Sequence, residues 1–410
     1  MRSICQAVLI STVAAGVYGG DWTQWRGPER DGQAADLVAP TQWPDELTQV
    51  WRMDGVGAGY SGPLVSGDHI WLHSRIGDDE VVTKRRLADG GVVWERRYSA
   101  PYEVNGSARP HGLGPKSTPI LDDGRVFTLG ISGVLSAFDA DSGKELWRKD
   151  FKDEFSSTWP KFGVAMSPAI VHGKLIAHVG TDKDGALIAF RPADGAEAWR
   201  WDGEGPSYVS PMLLTVAGRE MLVSQSSEHS FAVDPETGEL LWELPFKTPY
   251  TQNIMTPMPF EDLILFSGTR AKTVAVRINN RGGKYEPEEV WSTTDATMYM
   301  SSPVVFGDTI YGYSEKQSGN LFAMNPQTGE VSWKGPGRMG HNATLLAVDG
   351  YLLTLTSDAE LTVTKLGATS YDAIKTYSVA DSETYGHPAP VGSKRLLIKD
   401  DHALTLWSWE

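Results

Sequence analysis

Seven stretches of this sequence gather basic and aromatic side chains in a chain that is otherwise acidic, with a formal net charge of −15. They run over residues 99–117, 152–166, 203–209, 247–255, 293–300, 334–342 and 380–387. Together they carry Arg109, His111, Lys116, Trp159, Lys161, Tyr208, Gln252, Asn253, Tyr299, Arg338, His341, Tyr385 and His387. Cationic donors beside aromatic faces suit the binding of an anionic group, a sugar-like ring or an extended peptide. The same residues would equally serve to hydrogen-bond and cap the elements beneath them, and sequence leaves both uses open. His111, His341 and His387 come from three different stretches. A three-histidine metal site would need their ring nitrogens ~2.0–2.1 Å from one ion, which spacing along the chain does not supply, so no metal centre is assigned.

Other constellations fall away on geometry. His69 and His73 lie in a strand-like run, where residues four apart are separated by ~13 Å, too far to chelate one ion. The sequence has no HExxH and no GxSxG, and no Ser/His/Asp set stands out. Asp182-Lys183-Asp184-Gly185 starts like a calcium loop but lacks the later acidic ligands at the required spacing, so it reads as a turn. No catalytic residue is assigned.

The elements that would position these stretches repeat. Residues 301–333 form one unit: Ser302-Pro303, a short apolar run, a Gly307-Asp308 turn, the β-branched and aromatic run TIYGY, a polar loop, NLFAM, the turn Asn325-Pro326-Gln327-Thr328-Gly329, and EVSW. That is a four-stranded antiparallel meander, which cannot bury both faces without neighbours. Its closing aromatic recurs at Trp51, Trp94, Trp147, Trp199, Trp242, Trp291 and Trp333, with Tyr377 expected in the slot of the most divergent copy. The opening recurs at Gly62-Pro63, Thr118-Pro119, Ser167-Pro168, Ser210-Pro211, Thr256-Pro257, Ser302-Pro303, the degenerate Ala343-Thr344, and His387-Pro388. Chain beyond His387 suffices for three strands, and the strand around Trp51 has no unit before it. The expected fold is therefore all-β: an eight-bladed β-propeller of four-stranded antiparallel blades, the last blade closed by the N-terminal strand. Function on such a ring lies in the loops gathered on one face around the channel.

At residues 137–147 (AFDADSGKELW) and 232–242 (AVDPETGELLW) the chain resembles the propellers built from PQQ-type repeats, whose mark is Ala-x-Asp-x-x-Thr-Gly-x-x-x-Trp. The resemblance covers 47–410 and is specific for architecture. It implies either of two activities. One branch is the PQQ-dependent quinoprotein dehydrogenases, which are similar in repeat but longer, with a vicinal disulfide beside the quinone and a calcium held by acidic and amide side chains. The other is non-catalytic scaffolds of the BamB kind. The sequence has one cysteine, Cys5, and Asn105, Glu103, Asn253 and Asp295 are scattered candidates for a calcium set. The expectation is a non-catalytic scaffold without a cofactor, binding a protein or peptide through its channel face or blade edges. PQQ with calcium is the alternative, and carbohydrate recognition by some of the 14 Tyr and 15 Trp is a third.

Domain limits follow. Residues 1–19 (MRSICQAVLISTVAAGVYG) read as a cleaved secretory signal, with Arg2 before an apolar stretch and small residues near the end. The expected location is the periplasm or the exterior. Cys5 lies inside that signal, before most of its apolar stretch, and so does not fit a lipoprotein anchor. Residues 20–46, containing WTQWRGPERDG, lack strand periodicity and are expected to cap the ring with Trp22 and Trp25 as anchors. Residues 47–410 are the propeller. No other stretch is apolar enough to span a bilayer, the acidic balance disfavours nucleic acid, and a closed ring permits a monomer.

Overall fold

The computed structural model describes residues 20–155 and 159–410. The expected signal segment and Cys5 lie outside the described residues. The rest forms eight four-stranded antiparallel sheets arranged as propeller blades. Blades 1 to 7 occupy residues 64–99, 120–149, 169–203, 212–245, 258–293, 304–334 and 343–378. Blade 8 combines three strands from 389–408 with β1 (Thr48–Asp54), which pairs antiparallel with the last strand, Trp51 opposite Leu406. This is the ring closure the sequence predicts. Apolar side chains alternate along the inner strands and pack between sheets. One cluster, for example, joins Phe127 and Leu129 of blade 2 to Leu175 and Phe190 of blade 3.

The repeated Gly and Trp are two halves of one joint. The turn glycines adopt left-handed backbone, with φ +68° at Gly143, +69° at Gly195, +75° at Gly238 and +74° at Gly329. A Cβ on Gly143 would sit 2.6 Å from the Trp94 indole of the preceding blade. Gly195 stands in the same way against Trp147, Gly238 against Trp199 and Gly329 against Trp291. The indole N–H then donates to a turn carbonyl of the next blade: Trp94 to Ala140 (3.1 Å), Trp147 to Pro192 (2.8 Å), Trp199 to Pro235 (2.9 Å) and Trp291 to Pro326 (3.0 Å). Each bond contributes about 1 kcal/mol, and the ring burial adds to it.

Two copies depart from this scheme. Trp242 meets the Met221 sulfur instead (3.3 Å), because the next blade replaces its turn with a long hairpin, Thr273–Arg281 and Lys284–Thr293. In blade 7 the register corrects the reading of Tyr377. The ladder steps over Ile374 and sets Lys375 opposite Val363, as Trp333 stands opposite Ala323 in blade 6. Lys375 therefore fills the tryptophan slot. Tyr377 lies two residues on, on the same face, and its hydroxyl donates to the Pro44 carbonyl (2.8 Å).

A second lacing runs round the axis through the opening residues. The Gly62 N–H donates to the Thr118 hydroxyl (3.0 Å), Thr118 N–H to Ser167 (3.0 Å), Ser167 N–H to Ser210 (2.9 Å), Ser210 N–H to Thr256 (3.3 Å) and Thr256 N–H to Ser302 (3.3 Å). Ser or Thr before Pro therefore serves as a clasp between blades 1 to 6.

Candidate functional site

The channel is closed at one end by chain from outside the blades. Residues 20–46 bridge Trp22 to Val65 of blade 1 and Gln33 to Ala347 of blade 7. Between these points Trp25, Arg26 and Arg30 reach the axis. Arg30 donates to the Pro168 carbonyl (2.9 Å), the Ser167 carbonyl (3.1 Å) and the Gln24 side chain (3.0 Å). Arg26 donates to the carbonyls of Asp31 and Pro303. Both guanidinium carbons lie 5.4 Å from the Trp25 ring centroid. Arg26 and Arg30 are 3% and 7% exposed, and neither forms an ion pair among the described residues. Burial pulls Arg26 down to about 10 and Arg30 down to about 9, the Arg26 charge adding to the second shift.

Above this floor lies an inner chamber of about 130 Å³. It opens into an outer vestibule that shares His111, Phe162, Gln252 and Tyr299 with it. The chamber wall is an aromatic collar. Tyr60 stacks on Tyr385 at 4.0 Å, His111 meets Tyr385 edge-on at 6.4 Å and Phe162 at 6.3 Å, and Phe162 meets Tyr208 at 5.9 Å. Trp25 forms the floor, with His387 edge-on to it at 5.6 Å. The lining contains no Asp or Glu. Its cation is Lys116, whose ammonium donates to the Phe162 carbonyl (2.7 Å). Burial lowers Lys116 to about 8; burial, with the Lys116 charge, lowers His111 to about 4. Burial, with Arg26 next, also holds His387 well below the ordinary imidazole value. Burial pushes Tyr299 up to about 12 and drives Tyr60 and Tyr208 up as well. These shifts share one leading cause, burial that disfavours the charged form of each group.

The structure divides the sequence-predicted residues. His111, Lys116, Tyr208, Gln252, Tyr299, Tyr385 and His387 line the chamber, and Lys161 and His341 join the vestibule. Asn253 is fully buried and structural, its amide donating to the carbonyls of Ser226 (3.0 Å) and Phe246 (3.1 Å). Trp159 packs edge-on against Tyr102 at 5.5 Å, away from the lining. Arg109 and Arg338 are exposed and stand outside both cavities. The three histidines do not meet as a metal cluster among the described residues.

Sequence reading missed two sources. The floor residues come from the capping segment, where a tryptophan followed by two arginines in a stretch without strand periodicity was the available signal. Thr269, Arg270 and Glu315 of the vestibule come from loops between second and third strands. In an antiparallel meander these loops emerge at the same end as the inter-blade loops, so strand parity alone would have found them.

A family model for the outer membrane protein assembly factor BamB matches residues 78–335. The chain is 28% identical over 225 residues to BamB of Shewanella oneidensis, covering 53% of this chain and 55% of that protein. It is 26% identical over 242 residues to the quinoprotein alcohol dehydrogenase PedH of Pseudomonas putida, covering 54% of this chain and 38% of that one. The chain thus spans about half the length, or less, of these curated relatives. Among solved structures, BamB of Moraxella catarrhalis aligns with TM-score 0.61 at 17% identity, over 88% of this chain and 99% of that one. The quinohemoprotein alcohol dehydrogenase of Comamonas testosteroni aligns with TM-score 0.67 at 13% identity, over 95% and 80%.

Proposed function

Because the chain belongs to the family of the outer membrane protein assembly factor BamB, we propose that it is an exported, non-catalytic binding propeller that takes an extended segment of a protein partner into its channel face. The observation that carries this reading is the shape of the channel. Vestibule and chamber form one continuous depression, and residues 20–46 seal its far end. A blind depression of that kind retains a ligand. Its rim offers Lys161, with its ammonium 5.0 Å from the Tyr250 ring centroid, as well as Arg270 and His341. These are groups that grip peptide backbone and side chains through charge and ring faces. The periplasm or the exterior is the proposed location.

The likeness to quinoprotein alcohol dehydrogenases raises a second reading, PQQ with calcium. The donors in the channel do not fit it. A calcium ion takes 6–8 oxygen ligands, typically including carboxylates; among the described residues the chamber lining supplies no Asp or Glu and the vestibule a single one, Glu315. No redox step is derived for this chain.

The test is selection of peptides from a random library on the purified protein, followed by fluorescence polarisation of the selected peptides. The double variant Lys161→Glu, Arg270→Glu should weaken them at least tenfold. Absence of selectable peptides, or binding indifferent to that variant, would overturn the reading. Saturable, calcium-dependent quenching of tryptophan fluorescence by PQQ would replace it with the quinoprotein one.

A further inference from the structure

We infer that the inner chamber is a binding site for a carboxylate carried on a short aromatic or apolar body, with Lys116 as its counter-ion. Receipt of the C-terminus of a partner segment there rests on the function proposed above; the chemistry of the chamber does not. Three independent features converge on it. The first is charge. Lys116 has no ion pair among the described residues, and its ammonium makes a single hydrogen bond there, to the Phe162 carbonyl. The arginines under the floor form no ion pair among the described residues either, and only Arg26 feels a carboxylate, that of Asp31, through space. A buried cation without a counter-charge is costly, and a ligand anion removes that cost.

The second feature is unpaired polar atoms. His387 is 8% exposed and its Nδ1 is buried without a partner. The Nδ1 of His111 and the hydroxyl of Thr344, which also line the chamber, are unpartnered too. The low basicity of both imidazoles keeps them neutral, with one N–H to donate and no added positive charge. Of these residues His111 lies close enough to feel the Lys116 charge, so a neutral imidazole stands beside the ammonium for a carboxylate to bridge. The third is the wall: Trp25, Phe162, Tyr208 and Tyr299 surround a cavity of about 130 Å³, room for about one aromatic ring, with apolar ring faces for its body. Phosphate-like dianions fit less well, because the lining offers one ammonium and otherwise only neutral groups.

Two sources share this chemistry: a free aromatic acid, and the C-terminal carboxylate of a peptide ending in an apolar residue. The experiment separates them. Binding of 4-fluorophenylacetate and of 4-fluorophenylacetamide to the unmodified protein is followed by fluorine NMR. Peptides ending in Phe, free and amidated, are compared by fluorescence polarisation. The acid should bind saturably and at least ~10-fold more tightly than the amide, the scale of one charge-assisted hydrogen bond. Lys116→Met should abolish the difference, and Lys116→Arg should restore part of it.

A tighter fit of the free-acid peptide, lost on amidation, assigns the site to a partner's C-terminus. Preference for the small acid with no such peptide effect assigns it to a free acid and still supports the chamber chemistry. Equal binding of acid and amide, or no binding of either at 10 mM (on the order of a 3 kcal/mol interaction), overturns the inference. The acid–amide comparison needs no variant, so it stands if Lys116→Met fails to fold. Peptides held equally well with either terminus would exclude the C-terminal source and leave the scaffold reading intact; loss of all peptide binding would sink the scaffold reading alone.

Discussion

Gly143→Ala should destabilise the propeller much more than Gly124→Ala, although both glycines lie in blade 2 with nearly the same backbone. Their φ values are +68° and +70°. Left-handed backbone costs an L-residue about 1–2 kcal/mol, and both variants incur it. A Cβ at Gly124 meets nothing within 4 Å, whereas at Gly143 it would lie 2.6 Å from Trp94 Cδ2 and 2.7 Å from Cε3. The indole must then move off the turn. That adds an overpacking cost of about 1–3 kcal/mol and weakens the Trp94 bond to the Ala140 carbonyl, worth about 1 kcal/mol. The excess for Gly143→Ala is therefore on the order of 2–4 kcal/mol. Melting entropy scales with chain length, so in a ring of this size each kcal/mol moves Tm by about 1 °C. Differential scanning calorimetry should place Gly143→Ala about 2–4 °C below Gly124→Ala, with a matching fall in urea midpoint at unchanged slope. Equal Tm values would refute the claim that the repeated glycine exists to seat the neighbouring tryptophan.

Further outcomes follow from buried charge and from the proposed signal segment. Glu80 is fully buried and accepts from Tyr98 (2.7 Å), from the Ile131 N–H of the next blade (2.7 Å), and meets His73 at 3.2 Å. Burial alone would raise its carboxyl, but His73 and these donors outweigh it and the net shift is downward. Glu80→Ala should cost about 3–5 kcal/mol. In the unmodified protein the Glu80 contribution should be present above the usual glutamate range and lost as pH falls below it, a loss that acid titration of the variant lacks. Lys116 titrates near 8 when folded and near its ordinary 10.5 when unfolded. The unfolded chain thus holds the proton to higher pH, and stability should rise by on the order of 1–3 kcal/mol between about pH 8 and 10, a rise absent in Lys116→Met. Over the same range, affinity for 4-fluorophenylacetate should fall as the ammonium of the free protein deprotonates. Mass spectrometry of the exported protein should find residues 1–19 removed; retention of Met1–Gly19 would refute the signal reading.

The sequence by itself determined the ring. Gly and Trp four positions apart, a Ser or Thr before each opening proline, and the odd strand count at the two ends are local patterns. Each maps onto a local conformation or onto contact with a neighbouring copy, so eight blades and their closure by β1 could be counted directly. It also marked the inter-blade loops as the site, because strand direction alone brings them to one end. The tertiary structure decided which of their side chains face the axis. Asn253 and Trp159 turn into backbone and packing contacts, while Arg109 and Arg338 turn outward, choices made by loop packing that no period encodes. Lys375 stands in the tryptophan slot in place of Tyr377, after a turn longer than that of blade 6, a register set by strand pairing and invisible in composition. The Glu80 network and the Trp25–Arg26–Arg30 floor join residues far apart in the chain. Their partners are carbonyls and backbone N–H groups that every residue carries, so only the folded ring distinguishes the ones they meet.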